Sequence, residues 1–318
     1  MEKPRADRWL KGLRVRAVVC TRYGPPEVLR LEELAAPTPR KNEVLIRILA
    51  TAVTSSDCYV RGLRLTPAYR IMARTGLERA EATGNGNGAL GGSGLGRTGR
   101  PVLRGGCPVF GFNRHRFGTY AQYVCWPEDG PLAMRPVNLS DEEAAAIPYG
   151  GLLALHFLRK ADVRAGQRVL VYGTSGAVGT SAVQLARLMG GEVTGVCSTA
   201  NMDLVASLGA STVVDYTVED FADRKERYDL IFDAIGRSKS AAALRRCRQV
   251  LAPGGACVSV DDGRPKLRRE DLVSLGELAT KGEIKPVIDR TYALDDIVDA
   301  HRYVDNGHKR GDVVVTVP

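Results

Sequence analysis

Apolar residues along this chain recur with two different periods, and the change from one to the other divides it. From Val15 to Leu49 they alternate or run in short β-branched groups. Val15-Arg16-Ala17-Val18-Val19 predicts a strand and Gly24-Pro25-Pro26 a turn. Val28 to Leu34 predicts a second strand, Pro37 to Asn42 a loop, and Glu43 to Leu49 a third strand. Phe110-Gly111-Phe112 and Thr119 to Val124 predict a strand pair. Ser140 before Asp141, Glu142 and Glu143 predicts a capped helix, interrupted by Pro148 and Gly150-Gly151, after which Leu152 to Leu158 forms the next helix.

Beyond Arg168 the pattern is strand alternating with helix. Arg168 to Tyr172, Glu192 to Cys197, Thr212 to Tyr216, Tyr228 to Asp233 and Gly255 to Val260 read as strands. The helical segments between them end at signals such as Leu208-Gly209 and Pro253-Gly254. Short apolar strands separated by helices imply a buried parallel sheet. The first strand breaks into Gly173, Gly176 and Gly179, followed by Ala182, Val183, Leu185, Ala186, Leu188 and Met189 at helical spacing. Strand, glycine turn and helix in that order form an anion cradle, because the helix start offers unpaired N–H groups and a partial positive charge. The backbone N–H groups of Ala177 and Val178 are expected to face a diphosphate, with Ser175 in the same turn. A glycine turn used only for packing is the plain alternative, and the surrounding strands of the βα type argue against it.

Bulk properties narrow the classes. The chain has 318 residues, 44% hydrophobic and 25% charged, which suits a globular protein of two domains. No apolar run approaches the ~20 residues that cross a bilayer. Met1 to Leu13 is charged, lacks the apolar core of a secretory signal, and reads as a frayed extension. The seven cysteines are scattered with no CxxC pair, which argues for reduced thiols and a cytoplasmic location. A net charge of +9 admits a nucleic-acid or membrane partner, but no basic helix or interleaved aromatic stripe accompanies it. A solvated basic surface is the preferred reading, with no nucleic-acid and no membrane partner.

Several stretches together resemble the medium-chain dehydrogenase/reductase superfamily, and within it the zinc-independent quinone-oxidoreductase-like branch. They are Tyr23-Gly24-Pro25-Pro26-Glu27-Val28-Leu29, Asn42 to Ile46, Ser56-Asp57-Cys58-Tyr59, Arg61-Gly62, Pro148 to His156 and Tyr172 to Thr180. Asp215-Tyr216, Asp233-Ala234-Ile235-Gly236, Lys285 to Arg290 and Gly307 to Val315 continue the similarity. The resemblance implies an α/β architecture: a GroES-like β-barrel substrate domain over 1–147 and a Rossmann doubly wound parallel sheet over 148–284. Residues 285–318 are implied to return to the first domain. It further implies an NADP(H)-dependent oxidoreductase that passes hydride to a small quinone, enone or related carbonyl compound.

Two interruptions depart from the family pattern. Residues 73–108 are glycine-rich with few large apolar residues, so they are expected to be loop-like, leaving the barrel short of a strand. After Asp262, Gly263-Arg264-Pro265-Lys266 leads quickly to Asp271, so the sixth strand of the parallel sheet is expected to be missing. That leaves an open edge and puts a homodimer in doubt. A damaged substrate domain supports a second reading, an NADPH-binding protein with impaired catalysis.

The chemistry separates into a cofactor side and a substrate side. An NAD site usually has an acid ~20 residues past the glycine turn. Cys197-Ser198-Thr199-Ala200-Asn201 stands there without one, so the Ser198 and Thr199 hydroxyls, with Tyr216 nearby, favour NADP over NAD. Ser198 and Thr199 as helix caps is the plain alternative, compatible with the first. By resemblance Ala234, Ile235, Ser259 and Val260 flank the ribose and nicotinamide. Thr54, Asp57 and Tyr59 are implied to lie on the substrate side, Asp57 serving equally well as a helix cap. Thr54 and Leu153 stand where the family more often has asparagine and threonine. Catalytic zinc is not expected, because Thr54 occupies the place of the zinc-ligating cysteine and 73–108 holds no histidine. His156, His301 and His308 read as packing or surface residues, and His115 as loop surface.

Overall fold

The computed structural model describes residues 12–63, 97–101, 106–112 and 118–318. The N-terminal extension before residue 12, His115 and most of 73–108 lie outside the described residues. The chain divides into two compact units: 1–148 with 290–307 and 312–318, and 149–289 with 308–311.

The first unit is mainly β. β1 (Arg14–Cys20) pairs antiparallel with β2 (Leu29–Ala35). Among the described residues β3 (Glu43–Val53) is the spine of a seven-stranded sheet. It is long enough to serve several partners: β4 (Arg97–Pro101), β6 (Tyr123–Pro127) on its N-terminal half, and β14 (Asp312–Thr316) on its C-terminal half. β5 (Val109–Gly111) follows β4, and β7 (Leu132–Met134) follows β5. β13 (Ile288–Ala293) completes the sheet beside β14. Val18, Ile46, Ile48, Val53, Trp126, Val313 and Val315 form the core, joined by Ile297 and Ala300 of the helix α7 (Ile297–Asp305). That apolar cluster, spread over strands distant in sequence, is what holds the β unit together.

Two expectations change here. Arg97–Pro101, inside the stretch read as loop-like, is a strand bonded to both β3 and β5. Ladder bonding supplies what its poor apolar content does not. The segments around Phe110 and Val124 do not pair with each other. Phe110 pairs with Thr98 and Ala133, whereas Val124 takes the free N-terminal edge of β3 at Ile46.

The second unit is α/β. Its parallel sheet has five strands in the order β10-β9-β8-β11-β12, comprising β8 (Arg168–Tyr172), β9 (Glu192–Cys197), β10 (Thr212–Asp215), β11 (Tyr228–Asp233) and β12 (Leu251–Ser259). No sixth strand joins it among the described residues, so β12 is the edge, as the shortened link after Asp262 implied. Pro253-Gly254 is not a helix end. It lies in an irregular start to β12, where pairing jumps from Tyr228↔Leu251 to Leu230↔Ala256.

The helix over Asp141–Lys160, α2, is likewise continuous through Pro148. Its start is the predicted cap, with Glu143 N–H donating to Ser140 Oγ at 3.1 Å and Ser140 N–H to Glu143 Oε2 at 2.8 Å. An interior proline costs roughly 3 kcal/mol. Burial of Ala144, Ala145, Ile147, Leu152, Leu155, Phe157 and Leu158 along one helix offsets that loss. Gly150 and Gly151 are packing positions, not breaks: a Cβ on Gly150 would collide with the Ala177 carbonyl, and one on Gly151 would meet Leu275 at 2.9 Å. No helix among the described residues is long and apolar enough to cross a membrane.

Candidate functional site

Sheet order locates the cleft. β8 is central, the next strand β9 lies on one side of it, and β11 lies on the other. Open parallel sheets bind ligands at such a switch point, beyond the C-terminal strand ends. All five strands run parallel, so the residues that follow them share one edge: Gly173 to Gly179 after β8, Ser198 and Thr199 after β9, Tyr216 after β10, Ala234 and Ile235 after β11, Val260 after β12. Ser259 is the last residue of β12 and Leu153 is half-buried in α2.

The turn after β8 is built by close approach. Gly173 has φ +83°, and a Cβ there would collide with Ile235 Cγ1. The Gly173 and Thr174 N–H groups each donate to the Val196 carbonyl at 3.2 Å, and Thr174 Oγ1 adds a bond of 3.0 Å to the same oxygen. The helix α3 (Ala177–Leu188) starts at Gly176, which offers no side-chain cap. A Cβ on Gly179 would collide with the Gly173 carbonyl, so this glycine seats the helix on the turn. Gly176 differs, because a Cβ there would find nothing nearer than the Gly173 carbonyl at 3.9 Å. From the other end of the sequence, Gly311 N–H donates to Ser175 O at 2.7 Å and clips the turn in place. The result is a shaped, uncapped helix start of the kind that binds a diphosphate, and the residues present fit a dinucleotide.

At the ends of β9 and β10 the hydroxyls are already engaged. Thr199 Oγ1 donates to Asp215 Oδ2, and Thr217 donates to Asp215 Oδ1 from its N–H at 2.9 Å and its hydroxyl at 2.6 Å. These bonds, Thr199's first, hold the Asp215 carboxyl below its usual range. Ser198 occupies a cap position but makes no capping bond; its oxygen accepts from Asn201 Nδ2 at 3.0 Å. Tyr216 is 49% exposed. Asp215 is a residue the sequence reading passed over as a site group, and its Asp-x-Thr spacing, which favours an Asx-type turn, was the signal available.

At the other end, Asp233 is fully buried. Its Oδ1 accepts from the N–H groups of Ile235 at 3.1 Å and Gly236 at 3.2 Å, and its Oδ2 accepts from the hydroxyls of Ser240 and Ser259, both at 2.8 Å. Ile235, 39% exposed, lies over Gly173.

Thr54, Asp57 and Tyr59 belong to the first unit, on or beside the helix α1 (Ser55–Arg61). Thr54 and Asp57 form a capping box: Asp57 N–H donates to Thr54 Oγ1 at 3.3 Å, while Thr54 N–H and Oγ1 both donate to Asp57 Oδ2 at 2.8 Å. The cap role weighed for Asp57 is therefore one it performs, and Tyr59 is half-buried on the same helix. Below them lies a buried network the sequence did not announce. Arg61 Nε donates to His301 Nδ1 at 3.2 Å, Nη1 to Gly24 O at 2.6 Å, and Nη2 pairs with Asp305. The Nε–H donor leaves the His301 proton on Nε2. Among the described residues no group of three or more His, Cys, Asp or Glu side chains is placed to hold a metal ion.

Known proteins match this arrangement. Residues 177–283 and 261–315 match family models described as zinc-binding dehydrogenase. A 2-methylene-furan-3-one reductase of Solanum lycopersicum is 31% identical, across 93% of this chain and 77% of its own. An NADPH-dependent alkenal/one oxidoreductase, chloroplastic, of Arabidopsis thaliana is 28% identical, across 95% of this chain and 79% of its own. Among solved structures, the quinone oxidoreductase of Coxiella burnetii superposes with a TM-score of 0.82 at 26% identity, covering 96% of this chain and 100% of that one.

Proposed function

Because the chain belongs to the medium-chain dehydrogenase/reductase superfamily, in its quinone-oxidoreductase-like branch, we propose that it is a zinc-independent reductase that uses NADPH to reduce quinones, enones or related carbonyl compounds. The observation that carries this reading is the uncapped start of α3, set over a glycine turn at the switch point of the parallel sheet. The Ala177 and Val178 N–H groups hold the diphosphate. Ile235, seated on Gly173, walls the cleft, and half-buried Val260 stands beside it at the end of the next strand, backed by the buried Ser259. The bound dinucleotide supplies hydride; the chain supplies alignment, which is where such a reaction gains most of its rate.

NADPH is preferred over NADH because β9 ends without an acid to bond a free 2′-hydroxyl, and the Arabidopsis relative is named for NADPH. The Asp215 carboxylate beside Thr199 moderates that preference. Thr54, Asp57 and Tyr59 serve the substrate side, with Thr54 and Asp57 held rigid by their mutual bonds.

That same closure favours a second reading, a protein that binds NADPH without useful turnover. One experiment separates the two: titration with NADPH and NADH followed by nicotinamide fluorescence, then NADPH oxidation against a panel of quinones and α,β-unsaturated ketones. Saturable binding with steady oxidation is expected. Binding without turnover selects the second reading, and indifference to both dinucleotides at millimolar levels overturns both.

A further inference from the structure

One carboxylate collects three separate pieces of chain at the mouth of the parallel sheet. Asp233 holds the turn at Ile235 and Gly236, the first turn of the helix α5 (Arg237–Cys247) through Ser240, and the end of β12 through Ser259. Its own carbonyl accepts the Val260 N–H at 3.0 Å. The turn needs Gly236 at φ +101°, and it delivers Ile235 onto Gly173. Ser259 is fixed again by Asp262, whose Oδ2 accepts the Ser259 N–H at 2.9 Å.

Packing alone does not explain an acid here. The preceding residues Leu230, Ile231 and Phe232 fill their places with apolar side chains, and a buried carboxylate carries a desolvation cost that they avoid. What a carboxylate adds is two oxygens that accept four bonds at once, two from backbone N–H groups and two from hydroxyls. Both backbone segments expected to flank the nicotinamide, Ala234–Ile235 and Ser259–Val260, are thereby tied to one side chain.

We propose that Asp233 is a positioning residue that fixes the spacing between these two segments, and so sets the seat of the nicotinamide half of the dinucleotide. The inference rests on the dinucleotide reading above. It predicts that the two halves of the ligand respond differently to loss of the carboxylate, because the adenosine half sits over other strand ends.

The test compares NADPH with 2′,5′-ADP, which carries only the adenosine-side groups, on Asp233→Ala and Asp233→Asn by calorimetry and nicotinamide fluorescence. Asp233→Ala is expected to bind 2′,5′-ADP within about twofold of the unaltered protein but NADPH at least about tenfold more weakly. Asp233→Asn is expected to restore NADPH to within about threefold, since its oxygen accepts both N–H groups while its amide donates to hydroxyls that also accept. Should Asp233→Ala not fold, Ser259→Ala decides, with NADPH about threefold weaker and 2′,5′-ADP unchanged. Equal loss of both ligands, or no loss of either, overturns the inference. Failure of the unaltered protein to bind NADPH removes the dinucleotide reading itself, and this inference with it.

Discussion

Gly176 and Gly179 sit in one turn, yet different neighbours account for them. Gly179 is dictated by the protein, since any side chain there strikes the Gly173 carbonyl. Gly176 has φ −81° and open space in front of it, so nothing inside the fold forbids alanine. On the dinucleotide reading, the requirement there comes from the diphosphate over the turn. Gly179→Ala is expected to lower unfolding stability by about 2 kcal/mol or more. Gly176→Ala should stay within about 1 kcal/mol in the same denaturant titration while losing at least about tenfold in NADPH affinity. A Gly176→Ala protein that binds NADPH normally would mean the diphosphate lies elsewhere. Asp215 acts by charge. A phosphate within reach of Thr199 lies about 6 Å from its carboxylate, where repulsion of a dianion is roughly 1 kcal/mol in water and less in salt. Asp215→Asn is therefore expected to raise the affinity ratio of NADPH to NADH by about three- to fivefold, measured by paired titrations; an unchanged ratio would place the 2′-phosphate away from Thr199.

At the scale of elements, legibility followed local autonomy. β8 and β11 were readable because a strand buried on both faces carries a continuous apolar run, here Val169 to Val171 and Leu230 to Phe232, bounded by polar or turn residues; β9, with Thr194 and Gly195 between its valines, was readable from its place between two helical segments. The glycine turn was readable because it needs strand, turn and helix in sequence. Elements whose stability comes from elsewhere were misread. α2 runs through Pro148 because distant packing outweighs a local cost, and its glycines answer to Ala177 and Leu275, far along the chain. β4 is drawn into the sheet by β3 and β5, with no apolar pattern of its own. Asp233 was visible as part of Asp-Ala-Ile-Gly but not as a hub, since two of its four donors, Ser240 and Ser259, become neighbours only when α5 and β12 close over β11. Asp57 was readable as a helix cap, but its reciprocal pairing with Thr54 emerges only in the structure, although a spacing of three is the signal for it.

At the scale of the whole molecule, the buried histidine makes stability depend on acid. His301 is 1% exposed. Burial first, then the Arg61 guanidinium, push its pKa from 6.5 down to about 3, against a smaller opposite pull from Asp305. Unfolding restores an ordinary imidazole, which binds a proton below pH 6.5 while the folded protein does not until near pH 3. The contribution is therefore complete above pH 6.5 and is lost as pH falls toward 3. Between pH 7 and pH 5 this one group should remove about 2 kcal/mol of unfolding free energy. Urea titrations of the unaltered protein and of His301→Asn at both pH values test it; equal pH slopes in the two proteins would rule His301 out as the source.

The clip from Gly311 to Ser175 has a consequence for how the chain is born. A nascent polypeptide leaves the ribosome with all five parallel strands before residue 308 exists, so the sheet is available early while its anion turn still lacks a fastener. The other unit waits on the same late stretch, because β3 receives β14 only when residues 312–316 arrive. A chain that stopped before residue 308 would thus hold nearly every element with neither unit finished.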